Sequence, residues 1–542
     1  MPDRSGASAA AQPLPARSSG AKAAARRLAV PLLLIAYLAQ AASAIQTKSA
    51  TWDETNYFGM GDYLIRHHRW DVPSSVLHPP LAFYLNGLPV LLADLDRSVW
   101  MYGPETRSKP GFLGAADENR GRALLASPAN RGDRLLLASR AMTMLQAVLL
   151  GYFVNRFAAA LWGWHAGVLA LAFFAFCPNM LAHGSLITPD MTVTAFSFIA
   201  VYYLREALVK GRPSLHILAG LALGLALLAK FTALLLLPIE AAIIGFVLLR
   251  KGRVSTRWLL AGAAGALLVF LAGYFFDPTP YFEGIEIQRI HEHHRSFLMG
   301  RISDDGWWYY CLAAFALKTP IPALLGLAAA LVLLGTRAFR RRIGLDDVVL
   351  WLPVAAVFAF FSIELRSIGL RYVLPAYPFV FVLAAGALVS LKRLKYLAAA
   401  SMVWYVAGTA ATWPHHLAYF NESVGGPANG YKYLVDSNLD WGQDLKGLKS
   451  FMDGRGIDRI YLSYFGLDSP TRYGISYDWL PSYELENPKP QPTVNVQRGR
   501  YLAISVTNLQ GVYMEPPEMY RWLDRYTPVA RIGHSIFVYY LE

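Results

Sequence analysis

The stretch L-A-V-P-L-L-L-I-A-Y-L-A-Q-A-A-S-A-I, residues 28–45, decides the fold class. It contains no charged side chain, and its length is close to what a helix needs to cross the hydrocarbon core of a bilayer. Arg26 and Arg27 precede it and A-S-A lies at Ala42–Ala44, so a cleaved signal peptide is an alternative interpretation. We favour an uncleaved first transmembrane helix, because the run is longer than a usual signal-peptide core and many further apolar runs follow it.

The composition of the whole chain also indicates a membrane protein. Of its 542 residues, 55% are hydrophobic and 16% are charged, whereas soluble domains have about 25% charged residues. A wholly soluble cytosolic enzyme is therefore excluded. The net charge of +13 is, in so apolar a chain, more typical of cytoplasmic loops than of nucleic-acid binding, and we expect no nucleic-acid partner. The two cysteines, Cys177 and Cys311, both lie in apolar runs, which excludes a disulfide scaffold and CxxC sites.

Ten further apolar runs predict several membrane crossings. Each is roughly 15 to 24 residues long, near the length that spans a bilayer core. They lie at 135–155, 163–182, 188–204, 214–229, 231–249, 256–276, 310–334, 346–363, 372–390 and 396–413. With the first run they predict an α-helical polytopic membrane protein with about eleven transmembrane helices.

Basic side chains between these runs predict the orientation of the chain. If the helices alternate, clusters of Lys and Arg share one side, at residues 26–27, 205–212, 250–253, 337–342 and 392–395. The positive-inside rule makes that side cytoplasmic, so we expect the N-terminus inside and the C-terminus outside. The Ala-, Leu- and Arg-rich composition favours a bacterial cytoplasmic (inner) membrane.

Three predicted domains follow from these segments. Residues 1–27 are expected to form a disordered cytoplasmic tail, since their composition buries little apolar surface. Residues 28–413 form the transmembrane module, whose loop 46–134 lies outside. Residues 414–542 are expected to form a small C-terminal α/β extracytoplasmic domain. Its strand-like alternation lies at 459–464, 501–506 and 531–540, with a helical stretch near 442–452.

Acidic side chains lie where the predicted outer loops meet the membrane. Asp53 and Glu54 follow the first helix in T-W-D-E, and Asp190 stands in T-P-D at the start of a later span. Charge near hydrocarbon costs a few kcal/mol per group, which favours a function for such residues. The alternatives stay open, because Asp53 and Glu54 also suit a solvated loop and Asp190 also suits a helix N-terminus.

Cations and a histidine lie on the same side. Lys230 and Arg371 stand at outer ends of spans, where the positive-inside rule does not place them, and Lys318 in K-T-P is a third. An anionic lipid headgroup would require such cations, although side chains that reach for the interface would look the same. His78 in H-P-P-L is a candidate of the same region and equally suits an ordinary loop.

The densest titratable cluster is H-E-H-H-R at 291–295. If this stretch is helical, His291, His294 and Arg295 share one face. Imidazole and carboxylate groups together could hold a divalent metal ion, and a hydrated loop cluster is the alternative. A further run, Asp436, Asn438 and Asp440, begins like a calcium loop, but Trp441 replaces the required glycine.

Six motifs occur in an order that carries a resemblance. The motifs are W-D-E (52–54), H-P-P-L (78–81), T-P-D (188–190), G-L-A-L-G-L-A-L-L-A-K (220–230), K-T-P (318–320) and R-Y-V-L-P-A-Y-P (371–378). Over roughly residues 28 to 420 the chain resembles the GT-C superfamily of membrane glycosyltransferases. Within that superfamily it is most similar to the branch with protein O-mannosyltransferases and lipid A aminoarabinose transferases.

The resemblance implies a donor, a catalytic base and a reaction. The donor would be a sugar on a polyprenyl phosphate, and Asp53, the acid after the first helix, would be the catalytic base. Glu54 and Asp190 would orient the base or the acceptor. Displacement by an acceptor hydroxyl with one base and a phosphate leaving group would invert the anomeric carbon.

The same resemblance implies the site for the carrier phosphate. Lys230, Arg295 and Arg371 would neutralise it. His78 stands where the aminoarabinose branch has the lysine of K-P-P-L, so it joins this set, while the specificity of that branch is not transferable.

The sequence thus predicts an inverting glycosyltransferase at the outer face of the cytoplasmic membrane. Its expected partners are membrane lipids, the polyprenyl-phosphate sugar and an acceptor hydroxyl on a protein, lipid or glycan. A polytopic transporter or lipid flippase is the alternative, although such folds keep their charges near the midplane within inverted repeats. A non-catalytic membrane receptor is a second alternative, but it would leave the charged residues on the outer side without a common function.

Overall fold

The computed structural model comprises a helical membrane module followed by a small α/β domain. It describes residues 18–98, 115–251, 254–290, 295–365, 368–391, 395–483 and 494–542. The helices that precede the second half of the module are α1 (Ser18–Ile45), α2 (Trp52–Tyr57), α3 (Met60–His67), α4 (Pro73–Val76), α5 (Leu81–Leu92), α6 (Ala115–Ala126), α7 (Gly132–Trp162), α8 (Trp164–Ala175), α9 (Pro178–His183), α10 (Pro189–Lys210) and α11 (Pro213–Leu227). The loop 46–134 is therefore largely helical over its described residues.

The rest of the chain adds ten helices and seven strands in the described ranges. The helices are α12 (Leu236–Lys251), α13 (Thr256–Gly273), α14 (Thr279–Ile290), α15 (Tyr310–Lys318), α16 (Ile321–Phe339), α17 (Leu345–Glu364), α18 (Tyr377–Ser390), α19 (Lys395–Thr412), α20 (Leu445–Arg455) and α21 (Val506–Leu509). The strands are β1 (Ser296–Leu298), β2 (Arg301–Ser303), β3 (Ile460–Ser463), β4 (Tyr477–Trp479), β5 (Arg500–Ser505), β6 (Ala530–Ile532) and β7 (Ile536–Leu541). The 3₁₀ segments Phe231–Leu235 and Leu370–Ala376 lead into α12 and α18.

The helical membrane fold class is confirmed. Within the described ranges, eight helical stretches are long and apolar enough to cross a membrane, and α5, α8 and α11 are shorter apolar helices. The count of about eleven spans stays a prediction. Residues 1–17 of the predicted disordered tail lie outside the described ranges, whereas residues 18–27 belong to α1. This part of the tail prediction is wrong, because the alanines that bury little surface are also the strongest helix formers.

Two apolar runs are divided into two helices each. The run 163–182 is α8 and α9, separated at Phe176–Cys177, and the run 310–334 is divided between α15 and α16 at Thr319. Thr319 has an extended backbone (φ −91°, ψ 130°), the conformation that the following proline favours. The amide of Asn421 donates to the carbonyls of Ala316 and Thr319 at 2.6 and 2.9 Å, so carbonyls at the end of α15 remain hydrogen-bonded.

The C-terminal domain contains a five-stranded mixed sheet in the order β4-β3-β5-β7-β6. Strand β3 is parallel to β4 and β5, and β7 is antiparallel to β5 and β6. Leu445, Leu448 and Met452 of α20 are buried with residues of this sheet in one core. The alternating segments and the helical stretch predicted here are confirmed.

This domain is bonded directly to the chain that follows α1. The backbone N of Ser49 donates to the carbonyl of Gln443, and that of Trp52 donates to the carbonyl of Trp441, both at 2.9 Å. Lys48 forms a buried ion pair with Asp444 at 2.6 Å. Since Trp52 begins α2, the C-terminal domain helps to fix the position of the residue that follows it, Asp53.

Candidate active site

The short helix α2 carries the acids predicted after the first span. Thr51 is its N-cap, and the carboxylate of Glu54 accepts hydrogen bonds from the backbone N and Oγ1 of Thr51 at 2.9 and 3.1 Å. This capping box fixes where the helix begins. Asp53 therefore lies in the first turn, next to a side chain that is held in place.

Glu54 is an internal support of this helix. Arg140 of α7 donates to it through Nε at 2.8 Å and Nη2 at 2.6 Å, and both side chains are fully buried. The backbone N of Ile187 donates to it at 3.0 Å. A buried pair with this many hydrogen bonds is costly to disturb. The contacts indicate that Glu54 orients Asp53 by holding α2 against α7.

Four charged side chains from separate segments meet beside α2. Nη1 of Arg371 contacts Oδ2 of Asp53 and lies 3.9 Å from Oδ2 of Asp190. Nζ of Lys230 donates to Oδ1 of Asp190 at 2.6 Å. We call Asp53, Arg371, Asp190 and Lys230 the charge cluster. Its two acids and two bases balance, and Asp53 is the more accessible acid, with 14% of its side chain exposed against 1% for Asp190.

Helix termini and extended residues place these side chains. Asp190 stands in the first turn of α10, whose N-cap is Thr188. Lys230 has an extended backbone between α11 and the 3₁₀ segment that leads into α12. Arg371 lies in the 3₁₀ segment before α18. An acid at a helix N-terminus is stabilised by the helix dipole, and short irregular segments bring the two cations toward it.

Aromatic rings surround the cluster. The guanidinium of Arg371 lies 4.5 Å from the ring centre of Trp441, and Nζ of Lys230 lies 5.1 Å from that of Tyr372. His78 is half-buried, and its ring meets that of Tyr57 edge to face at 5.7 Å. Trp441 belongs to the C-terminal domain, so that domain forms one wall of the site. His78 lies against α2 through Tyr57.

Arg295 is placed elsewhere. Its Nε contacts Asp304 at 2.9 Å and its Nη1 contacts Glu515 at 2.5 Å. Within the described residues, its ion pairs are with these two acids and not with the charge cluster. The structure pairs Arg295 with Asp304, nine residues along the chain, and with the distant Glu515, so its binding to the carrier phosphate stays a prediction.

The predicted metal site cannot be placed in the same way. His291 and His294 lie outside the described residues. Within the described ranges, no group of three or more His, Cys, Asp or Glu side chains is arranged to hold a metal ion. The divalent ion stays a prediction.

Lys318 has an internal role. Its Nζ donates to the carbonyls of Leu417, Tyr419 and Asn438 at 2.9, 2.9 and 2.5 Å, and its side chain is fully buried. An ammonium has three donors, and all three are used. The interpretation of Lys318 as a third headgroup cation is wrong, because it joins α15 to the chain that leads into the C-terminal domain.

The arrangement suits a reaction with an anionic group. Arg371 and Lys230 are cations at the predicted outer rim, and cations placed where negative charge develops stabilise a leaving anion. The carboxylate of Asp53 is partly exposed, so an acceptor hydroxyl can come within hydrogen-bond reach of it, as a general base requires. Two members of the site have no counterpart among the predicted site residues: Arg140, which supports Glu54, and Trp441, which packs on Arg371.

A family model matches the centre of the membrane module. Residues 131–274 match the family described as dolichyl-phosphate-mannose-protein mannosyltransferase. The matched range includes Asp190 and Lys230 of the charge cluster. Over this part of the chain, the match bears out the resemblance predicted from the motifs. No curated protein sequence matches the chain.

Several solved structures are similar to the whole chain or to a part of it. ArnT from Cupriavidus metallidurans bound to undecaprenyl phosphate is 14% identical, with 97% of this chain and 98% of that chain covered and a TM-score of 0.48. The oligosaccharyltransferase of Archaeoglobus fulgidus, in complex with zinc and sulfate, is 13% identical, with 71% and 52% covered and a TM-score of 0.46. The protein O-mannosyltransferase Pmt1-Pmt2 complex of S. cerevisiae bound to the sugar donor is 17% identical, with 49% and 35% covered and a TM-score of 0.30.

Proposed function

We propose that the protein transfers a sugar from a polyprenyl-phosphate-linked donor to an acceptor hydroxyl at the outer face of the cytoplasmic membrane, with inversion of the anomeric carbon. The observation that carries the proposal is the charge cluster, in which the accessible carboxylate of Asp53 contacts Arg371, while Asp190 lies near both Arg371 and Lys230. The description of the matched family, which names a dolichyl phosphate sugar, supports a lipid phosphate as the carrier.

In this reaction Asp53 is the general base. It takes the proton from the acceptor hydroxyl while the oxygen forms a bond to the anomeric carbon. The bond between that carbon and the phosphate oxygen breaks, and its electron pair leaves with the phosphate. No general acid is needed, since the phosphate departs as a stable anion and cations meet its charge.

Arg371 and Lys230 meet that charge. Without a donor, Arg371 is shared between Asp53 and Asp190, and Lys230 is paired with Asp190. A phosphate that enters beside them competes with Asp53 for the guanidinium, because Arg binds phosphate oxygens in a bidentate manner. Donor binding would then release Asp53 from its ion pair and leave it free to accept a proton.

The roles of Asp190 and Trp441 follow from their contacts. Asp190 keeps Lys230 charged and directed into the site through a bond of 2.6 Å. Trp441 supports the guanidinium of Arg371 from the side of the C-terminal domain. Both are positioning residues, since neither touches the reacting atoms in this proposal.

The test is transfer by purified protein in detergent with a panel of polyprenyl-phosphate sugars and a membrane extract as acceptor. We expect consumption of one donor, release of carrier phosphate and a product whose anomeric configuration, read by NMR, is opposite to that of the donor. A product with retained configuration would contradict the single displacement. A transporter would move the lipid-linked sugar across the bilayer of a proteoliposome without cleaving it.

A further inference from the structure

A cavity of about 470 Å³ lies at the far end of the membrane module from the charge cluster. Helix α10 connects the two ends, since Asp190 in its first turn belongs to the charge cluster and Arg205 near its end pairs with Asp346 at the cavity. These two positions of α10 are fifteen residues apart, which corresponds to about 22 Å of helix. The cavity therefore does not belong to the proposed active site.

One wall of the cavity is apolar. It is formed by the ends of α7, α16, α17 and α18, and includes Leu161, Trp162, Leu333, Leu350, Trp351 and Leu383. Gly386 leaves the space for the indole of Trp162, because a Cβ at this glycine would lie 2.5 Å from the ring. Tryptophan at the end of a membrane helix is typical of the interface between hydrocarbon and headgroups.

The rim of the cavity is basic. The carboxylate of Asp347 pairs with Arg337 at 2.6 Å, and Asp346 pairs with Arg205 at 2.9 Å, so each acid at the cavity is already neutralised. Arg340 and Arg342 also line the cavity. In the part of the chain that the structure describes, neither has an acidic partner, so about two positive charges remain uncompensated beside an apolar wall.

We propose that this cavity binds an anionic phospholipid of the leaflet opposite the active site. Arg340 and Arg342 hold its phosphate, and the first part of an acyl chain lies against Trp162 and Trp351. Basic pockets between helix ends at the cytoplasmic side are a known form of anionic lipid site. A soluble phosphate would use the arginines and leave the apolar wall without a function, which favours a lipid.

The test uses the full-length protein in detergent, with dioleoyl phosphatidylglycerol as the probe and bound lipid counted by native mass spectrometry. Arg340→Gln and Arg342→Gln are compared with Arg341→Gln. Arg341 is exposed in the same turn but does not line the cavity, so its replacement removes the same charge and leaves the site intact. Each lipid-contacting arginine contributes about 1 kcal/mol, which is about fivefold in affinity.

We expect affinity to fall about fivefold in Arg340→Gln and in Arg342→Gln, and to stay unchanged in Arg341→Gln. Phosphatidylcholine should bind more weakly, and glycerol 3-phosphate should not displace the lipid. Equal losses in all three variants would overturn the proposal in favour of general attraction to the basic surface, and displacement by glycerol 3-phosphate would indicate a soluble anion site. Sugar transfer is not the readout, so this result is independent of the proposed function.

Discussion

Arg371 has two kinds of neighbour, and both matter for its role. Carboxylates of Asp53 and Asp190 lie on one side of the guanidinium, and the ring of Trp441 lies on another. Its side chain is only 11% exposed. A cation that is largely removed from water and held between an acid and a ring is ready to bind a phosphate with little rearrangement.

Lys230 provides the first prediction at the residue scale. Lys230→Met should weaken binding of polyprenyl phosphate about tenfold to a hundredfold, because a hydrogen bond to a charged group contributes about 1.5–3 kcal/mol. The measurement is titration calorimetry in detergent. Lys432→Met, at an exposed lysine of the C-terminal part, is the control for the loss of one charge.

A second variant separates binding from folding. Lys230→Met removes the ion-pair partner at 2.6 Å from the buried Asp190 and leaves Arg371 at 3.9 Å, which lowers stability. The double variant Lys230→Met with Asp190→Asn removes both charges of the pair and should recover the melting temperature but not the affinity. Recovery of affinity in the double variant would contradict a direct role of Lys230.

At the scale of elements, the segment 436–444 joins the C-terminal domain to the active site. It places Trp441 against Arg371 and accepts the backbone bonds from Ser49 and Trp52 through Gln443 and Trp441. The segment thus contacts both the chain around Asp53 and the cation that pairs with Asp53. Its sequence begins like a calcium loop, but its polar residues after Asp436 are buried as internal supports.

Trp441 gives the second prediction. Trp441→Leu should lower kcat on the order of tenfold, because a cation near a buried ring gains up to about 2 kcal/mol. Trp441→Phe keeps a ring face beside Arg371 and should stay within about threefold of the wild type. Trp522→Leu, at a half-buried tryptophan of the same domain, is the control. Equal loss in Trp441→Leu and Trp441→Phe would contradict a contribution of the aromatic face at this position.

Asp440 gives a prediction about pH. Burial, together with the charges of Asp436 and Asp444, raises the pKa of Asp440 to about 8. A pKa above the unfolded value of about 3.9 means that the fold prefers the protonated acid. The contribution of protonated Asp440 to the free energy of unfolding is fully present below about pH 4 and is lost as the pH rises to about 8.

The melting temperature of the wild type should therefore fall between pH 5 and pH 8, while Asp440→Asn should show a flatter profile. The expected difference is on the order of a few kcal/mol. Thermal unfolding followed by tryptophan fluorescence measures it. Parallel profiles of the two proteins would contradict a protonated Asp440 in the folded state.

At the scale of the whole molecule, the two ends of the membrane module differ in charge. The charge cluster at one end contains two acids and two bases, and the cavity at the other end keeps two arginines without acidic partners among the described residues. By the positive-inside rule we expect the second end to face the cytoplasm. The proposed reaction site would then lie at the outer rim, opposite a basic cytoplasmic surface.

Much of this arrangement could be predicted from the sequence. The ends of the apolar runs and the order of the motifs predict four site residues, and the structure brings all four together: Asp53, Asp190, Lys230 and Arg371. The strands of the C-terminal domain followed from the alternation of apolar and polar residues. Both signals are local in the chain, so a single sequence contains them.

The long-range partners could not be predicted in this way. The sequence does not indicate the acids that pair with Arg295. Asp304 is nine residues away in no recognisable motif, and Glu515 is far along the chain. Arg140 did offer a signal, since a lone arginine inside an apolar run needs a buried partner. The partner is Glu54, and this pairing depends on how α7 packs against α2.

The most direct test of the account is turnover of Asp53→Asn at donor concentrations that saturate the enzyme. Loss of a general base should lower the release of carrier phosphate at least about a hundredfold. The melting temperature should stay at the wild-type value, because Asn fills the same space. The donor Kd should stay at or below the wild-type value, because Asn no longer competes with the phosphate for Arg371. Asp94→Asn, at an exposed acid of the same loop, should behave as the wild type. Turnover of Asp53→Asn within a few fold of the wild type would contradict the assignment of the base, and with it the central claim.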